Sequence, residues 1–149
     1  MKIKINNSII SQKHPTYFIA DIAANHDGDL KRAKMLIDLA QKAGADAVKF
    51  QHFNAKTIVS DLGFKKLKSK ISHQAKWKKS VYDVYKDASI DLNWTKVIYN
   101  YCKKKNIDFF TSPYSIELVD HVDPYIPAYK IGSGDITWHE IVIHIEKKK

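Results

Sequence analysis

Two lysines stand in segments that have the pattern of buried strands, and together they suggest a site for an anion. Lys49 is followed two residues later by Gln51, and Lys130 lies in a similar segment further along the chain. Because successive side chains of a strand alternate faces, Lys49 and Gln51 point one way while Val48 and Phe50 point the other. Two converging lysines repel each other unless an anion lies between them. We therefore expect phosphate or carboxylate binding, although Lys49 could also be a surface residue of a half-exposed strand.

Hydroxyl groups and backbone amides follow two of these segments. Gly132, Ser133 and Gly134 come directly after the segment of Lys130, and Ser112 precedes Pro113. Free N–H groups and a hydroxyl in a glycine-rich turn are suited to phosphate. Ordinary turns after the strands are the alternative interpretation for both stretches.

One carboxylate and two histidines complete the set of candidate residues. Asp21 is the single charged residue of an apolar run at 17–23. It acts either as a general acid or base or as the ion-pair partner of a lysine. His26 and His52 follow the first two strand segments, within reach of a ligand, but ordinary placement in a loop is the simpler expectation.

Strands and helices must position these side chains, and both alternate along the chain. The predicted strands span 17–23, 47–51, 108–111 and 128–131, and the predicted helices span 30–43, 81–88, 94–105 and 115–122, with a last helix from 137 to the lysine tail. Such alternation indicates a parallel sheet, either doubly wound or closed into a barrel. Polar residues lie at the C-terminal ends of all four strands, which a closed ring explains better than one switch point. The predicted fold class is α/β, a parallel (β/α)8 TIM-type barrel with about its first four units present.

Local signals mark the ends of several elements. Residues 25–29 are good helix N-cap types, and Ser115 can cap the helix that follows it. Gly44 suits the position after a helix, and Thr137 with Glu140 has the spacing of a capping box. Residues 1–14 are expected to form a short β lead-in. Separately, the helical periodicity of its segment makes Cys102 a core thiol.

Composition narrows the class of protein. The chain has 149 residues, of which 44% are hydrophobic and 28% charged, as in ordinary globular domains. No stretch approaches the ~20 apolar residues of a membrane span. The single cysteine excludes an intrachain disulfide and favours a reducing cytoplasm. Seven histidines are present, but no pair has the spacing of a zinc motif.

The positive charge is concentrated in one stretch. The net charge is +9, and an acid-free run contains Lys65, Lys66, Lys68, Lys70, Lys76, Lys78 and Lys79. We interpret 52–80 as a long basic loop or insertion. Trp77 and Tyr82 are interleaved with these lysines. The alternative function is therefore a non-catalytic basic protein that binds nucleic acid or another polyanion.

Four ordered motifs carry a resemblance to a known family. The stretches are Y-F-I-A-D-I-A-A-N-H-D-G-D-L, A-G-A-D-A-V-K-F-Q, F-F-T-S-P-Y and A-Y-K-I-G-S-G-D-I-T. In this order and spacing they resemble the N-terminal half of the sialic acid synthase family, which includes N-acetylneuraminate, pseudaminate and legionaminate synthases. The resemblance covers about residues 16–146 and implies a (β/α)8 barrel. It also implies condensation of phosphoenolpyruvate with an N-acylated amino sugar, with release of phosphate.

The resemblance also assigns roles to individual residues. Phosphoenolpyruvate would be held by Lys49, Ser112, Lys130 and Ser133. Gln51 and Asp135 would face the sugar, and Asp21 would be catalytic in a place where the family usually has glutamate.

The resemblance further implies parts that this chain does not carry. A divalent metal, manganese or magnesium, is expected in the full-length family on histidines from later strands, so its ligands are absent from this chain. The full-length form is expected to be a homodimer. A barrel needs about 250 residues, so we interpret the chain as a truncated synthase that is inactive alone.

Overall fold

A parallel sheet of three strands forms the centre of the computed structural model, which describes residues 2–67 and 77–148. The strands are β1 (Ile3–Ile5), β2 (Ser8–Ile10), β3 (Ile19–Ala23), β4 (Ala47–His52) and β5 (Asp108–Pro113). The helices are α1 (Leu30–Lys42), α2 (Ala55–Ile58), α3 (Asp61–Leu67), α4 (Val81–Ala88), α5 (Trp94–Lys105), α6 (Ile116–Val122) and α7 (His139–Glu146). The sheet order is β3–β4–β5, and β1 pairs with β2 as a separate antiparallel hairpin.

One face of the sheet packs against the helices and forms the core. Val48 and Phe50 are fully buried there, and Phe109 of the neighbouring strand is 3% exposed. Ile37 of α1 and Ile98 of α5 close over them. Full burial of each such side chain contributes about 1.5–3 kcal/mol. Lys49 and Gln51 therefore lie on the opposite face, as the alternation predicts.

Register brings the polar residues of that opposite face side by side. Asp21 pairs with Lys49, and Gln51 pairs with Ser112. A bulge in β3 between Asp21 and Ala23 shifts the pairing by one residue, and Ala23 adopts a left-handed φ of 52°. Bulges of this kind re-aim side chains at the ends of strands.

Most of the predicted helix boundaries are confirmed by capping contacts. Asp29 accepts a hydrogen bond from the backbone N–H of Lys31 and begins α1, and Gly44 follows that helix with φ 84°. Ser115 accepts from the N–H of Leu118 and begins α6. The predicted capping box at Thr137 is wrong, because α7 begins only at His139 and has no side-chain cap.

Two larger expectations need correction. Residues 128–131 do not form a fourth strand, because a single backbone hydrogen bond, from Lys130 N to Thr111 O at 3.4 Å, attaches them to β5. The stretch 52–80 is not a plain loop, since α2 and α3 form within its described part. Lys68, Lys70 and Lys76 lie outside the described residues.

The hairpin is fastened to the start of β5 by one carboxylate. The side-chain amide of Asn6, in the turn between β1 and β2, donates to Asp108 Oδ1 at 2.7 Å. The hydroxyl of Tyr17 donates to the other oxygen of Asp108. This hydrogen bond and burial raise the pKa of the Tyr17 phenol. None of the helices among the described residues has the length and apolar character needed to cross a bilayer.

Candidate functional site

An ion pair lies at the centre of the polar face of the sheet. Lys49 Nζ is 2.8 Å from Asp21 Oδ1, across two neighbouring parallel strands. The lysine side chain is only 12% exposed, whereas the aspartate side chain is 58% exposed. Of the two roles expected for Asp21, the structure shows the ion pair with a lysine. The carboxylate itself is largely in water. A lysine with so little of its side chain exposed is a natural binding point for an anion that enters from solvent.

A tyrosine joins this site beside Gln51. The amide Nε2 of Gln51 donates a hydrogen bond to the hydroxyl of Tyr114 at 3.2 Å. Burial raises the pKa of the Tyr114 phenol, and the negative charges of Asp135 and Asp21 raise it further. The phenol therefore stays protonated at neutral pH and is close to both carboxylates.

The glycine-rich stretch brings Asp135 back over its own turn. Ser133–Asp135 form one turn of 3-10 helix. A Cβ atom on Gly132 would lie 2.5 Å from Asp135 Oδ2 and 3.4 Å from Cε1 of Tyr114. Glycine permits this close approach, because a larger residue would displace the carboxylate of Asp135.

The four residues expected to hold phosphoenolpyruvate do not all come together. Ser112 is 2% exposed beside Gln51, on the same face as Lys49. The amine of Lys130 instead donates to the carbonyl of Ile131 at 2.6 Å, and the residue is exposed. Ser133 is exposed as well. Among the contacts of the described residues, none joins Lys130 or Ser133 to Lys49.

His26 lies in the turn between β3 and α1, as predicted, whereas His52 is the last residue of β4, so its placement in a loop is wrong. Both histidines are fully buried. His52 ends β4 on the helix-facing side, where its ring nitrogens contact the hydroxyls of Thr111 at 2.7 Å and Thr95 at 2.9 Å. Burial, with the nearby imidazole of His121, lowers the pKa of His52 to about 3. His52 is thus a neutral structural group behind the site.

His26 is buried with only one of its ring nitrogens satisfied. Nδ1 accepts the backbone N–H of Gly28 at 3.1 Å, so the neutral ring carries its proton on Nε2. Nε2 has no hydrogen-bond partner among residues 2–67 and 77–148, and the ring meets Trp94 edge-on at 5.9 Å between centroids. Burial lowers the pKa of His26, although the charge of Asp27 opposes this.

Metal-binding and polyanion-binding arrangements receive little support from the described part of the chain. No group of three His, Cys, Asp or Glu side chains among residues 2–67 and 77–148 could hold a metal ion. Two lysines of the basic run are neutralised by ion pairs, Lys65 with Asp61 and Lys79 with Asp87, each at 2.6 Å. These pairs reduce the positive field on which a polyanion would depend.

Tyr114 is a site residue that the sequence patterns did not predict. The motif F-F-T-S-P-Y contains it, but only the serine of this motif was predicted to bind a ligand. A usable signal was its position, because it follows the C-terminal end of β5, where sites of α/β proteins lie.

Comparisons of sequence identify relatives of the chain. Residues 36–149 match the sequence profile of the NeuB family. The N,N'-diacetyllegionaminic acid synthase of Campylobacter jejuni is 38% identical over 123 residues, which cover 82% of this chain and 36% of the relative. The pseudaminic acid synthase of Campylobacter jejuni is 33% identical over 137 residues, which cover 89% of this chain and 38% of the relative.

A comparison with solved structures supports the relationship that the sequence comparisons indicate. The crystal structure of an N-acetylneuraminic acid synthetase from Leptospira borgpetersenii, in complex with citrate, superposes with a TM-score of 0.80 at 25% identity. The match covers 99% of this chain and 47% of that one, so the chain spans less than half the length of these relatives. The predicted fold class is confirmed, as an α/β structure with part of the units of a TIM-type barrel.

Proposed function

The chain belongs to the NeuB family, and from this premise we propose that it supplies the phosphoenolpyruvate-binding part of a nonulosonic acid synthase. The reaction joins phosphoenolpyruvate to an N-acylated amino sugar of the N-acetylmannosamine type and releases phosphate. The observation that carries the proposal is the sequestered ammonium of Lys49, with Gln51 and Ser112 beside it at the C-terminal strand ends.

Anion binding at this point follows from the charge and burial of Lys49. The side chain of Lys49 is 12% exposed and that of its partner Asp21 is 58% exposed. A phosphate or carboxylate group of phosphoenolpyruvate would form a charge-assisted hydrogen bond with the ammonium. The hydroxyl of Ser112 would add a second donor. Lys130 and Ser133 would also contact phosphoenolpyruvate once their segment turns toward it.

The chemistry proposed for the site is a condensation followed by loss of phosphate. The C3 carbon of phosphoenolpyruvate forms a bond to the aldehyde carbon of the sugar, whose oxygen takes up a proton. Water then adds to C2 and loses one proton. The resulting hydroxyl gives its second proton to the leaving phosphate as the bond from C2 to the phosphate oxygen breaks, and C2 becomes a ketone. Asp21 would move these protons, since a carboxylate that is open to water can exchange them. Gln51 and Asp135 would bind sugar hydroxyls.

The resemblance implies a divalent metal, but the side chains that could bind it already have other contacts. Asp21 is paired with Lys49, Asp135 is folded over Gly132, and both ring nitrogens of His52 contact threonine hydroxyls. The described residues therefore do not fit a metal ion. In the same way, a homodimer and a location in the reducing cytoplasm are proposals that rest on the resemblance and on the single cysteine.

A binding experiment tests the proposed function. Phosphoenolpyruvate is titrated into the ¹⁵N-labelled 149-residue protein, and the amide shifts of β4 and β5 are followed. Lys49→Ala is expected to weaken binding at least about tenfold, as a charged hydrogen bond contributes about 1.5–3 kcal/mol. The matched control is Lys96→Ala, an exposed lysine on α5. Equal affinity of the parent and Lys49→Ala would refute the proposal.

Catalysis is a separate matter from binding. We expect the purified 149 residues to form no nonulosonic acid from phosphoenolpyruvate, N-acetylmannosamine and manganese, because they match only part of the barrel of their relatives. Detection of the product by mass spectrometry would contradict this expectation.

A further inference from the structure

The backbone and the ring of Tyr114 are held by three contacts. The backbone N–H donates to the carbonyl of His52 at 3.0 Å, which continues the pairing of β4 and β5. The ring meets Phe53 edge-on at 6.2 Å between centroids. The ring also lies near Gly132, where one added carbon would be 3.4 Å from Cε1. A side chain fixed in this way presents its hydroxyl without further ordering cost.

The hydroxyl is available as a hydrogen-bond donor. Gln51 Nε2 donates to the phenol oxygen, so this bond uses the oxygen as an acceptor and leaves the phenol proton for another partner. The side chain of Tyr114 is half-buried, so a ligand at the strand ends can reach it. The raised pKa keeps that proton in place at neutral pH.

The charges around Tyr114 favour a neutral ligand. Asp135 and Asp21 both act on the phenol with negative charge, and the ammonium of Lys49 is paired with Asp21. An anion is repelled by two carboxylates, whereas the hydroxyls of a sugar can donate to them. The site is thus divided into a part for an anion and a part for a polyhydroxylated neutral molecule.

We propose that Tyr114 is a specificity-determining residue, whose hydroxyl is oriented by Gln51 and donates a hydrogen bond to an oxygen of the amino sugar. This inference rests on the proposed function for the identity of the sugar. Discrimination follows because a site built to hydrogen-bond an oxygen penalises a ligand that lacks it.

Tyr114→Phe tests the proposal, because it removes the hydroxyl and keeps the ring between Phe53 and Gly132. Two dissociation constants are measured by NMR titration, one for phosphoenolpyruvate and one for N-acetylmannosamine at saturating phosphoenolpyruvate. We expect the constant for the sugar to rise about five- to tenfold, the effect of one neutral hydrogen bond. The constant for phosphoenolpyruvate should not change. Tyr85→Phe is the matched control, since Tyr85 also packs on Phe53, at 5.5 Å.

The outcomes separate this inference from the proposed function. An unchanged sugar constant in Tyr114→Phe, or a parent protein that binds phosphoenolpyruvate but no sugar, would overturn the role of Tyr114. Sugar binding that depends on Tyr114 in a protein that does not bind phosphoenolpyruvate would refute the proposed function and keep the tyrosine contact. Equal melting temperatures of the variants and the parent exclude a loss of folding as the cause.

Discussion

Asp21 and Lys49 face each other across adjacent parallel strands, yet only the aspartate is in water. Their charged atoms are 2.8 Å apart, with 58% of the aspartate side chain and 12% of the lysine side chain exposed. The carboxylate therefore occupies the solvent side of the ammonium. An anion that approaches Lys49 from solvent must compete with Asp21 for the same charge.

This competition predicts that Asp21→Asn binds phosphoenolpyruvate more tightly than the parent protein. An exposed ion pair contributes about 0.2–1 kcal/mol, so the dissociation constant should fall by up to about fivefold. Calorimetric titration measures it, with Asp27→Asn as a control for removal of an exposed aspartate that is paired with Arg32. Weaker binding by Asp21→Asn would mean that the carboxylate helps to hold the ligand.

Lys130 is predicted to contact the same anion as Lys49. Its amine must leave the carbonyl of Ile131, so Lys130→Ala should weaken phosphoenolpyruvate binding less than Lys49→Ala does. A double-mutant cycle with both lysines replaced gives the coupling, which we expect to be about 0.5–3 kcal/mol for two groups on one ligand. If Lys130→Ala binds phosphoenolpyruvate with the affinity of the parent protein, Lys130 does not contact the anion.

The lowered pKa of His52 predicts that the folded protein loses stability in acid. Its pKa is about 3 in the folded protein and 6.5 as the ordinary value, so between these values the unfolded chain binds more protons. Stability is complete above pH 6.5 and declines as the pH falls toward 3, by at most about 1.4 kcal/mol per pH unit.

Urea unfolding at pH 7, 6, 5 and 4 measures this decline in the parent and in His52→Gln. The variant should show a shallower dependence on pH, and the remaining slope reflects His26, whose pKa is also lowered by burial. His139→Gln, at an exposed position on α7, serves as the control. Parallel curves for the parent and His52→Gln would show that His52 does not carry the effect.

Ala23→Gly is predicted to stabilise the protein. Ala23 has φ 52° at the bulge of β3, and a left-handed conformation costs a residue with a Cβ about 1–2 kcal/mol. Glycine removes this strain but loses more entropy on folding, so a net gain of about 0.5–1 kcal/mol is expected. Thermal melting at neutral pH measures it, with Ala24→Gly as control. A lower melting temperature in Ala23→Gly would show that the backbone at Ala23 is not strained.

Short-range patterns in the sequence were sufficient to predict much of this structure. The alternation of a strand placed Lys49 and Gln51 on one face and Phe50 on the other, because the period of two leaves no third choice. Asp29 and Gly44 marked the ends of α1, since capping and left-handed φ depend on neighbouring residues alone.

Features that depend on distant partners could not be predicted in this way. His52 is buried because Thr95 and Thr111, 43 and 59 residues later, supply hydroxyls to its ring. Tyr114 belongs to the site because its hydroxyl accepts a hydrogen bond from Gln51, which lies 63 residues earlier in the chain. The segment of Lys130 has the composition of a strand, but a strand also needs a ladder of hydrogen bonds, and this segment makes one bond to β5.

The fastening of the hairpin to Asp108 has a consequence for synthesis on the ribosome. Asn6 and its acceptor are 102 residues apart, so the hairpin cannot dock until β5, the last strand of the described sheet, has been made. Contacts of such long range form late, after the entropy of closing the intervening chain has been lost. At about 5–20 residues per second, the hairpin would remain undocked for several seconds while β3, β4 and their helices emerge. The hairpin is therefore open to chaperones until β5 has left the exit tunnel.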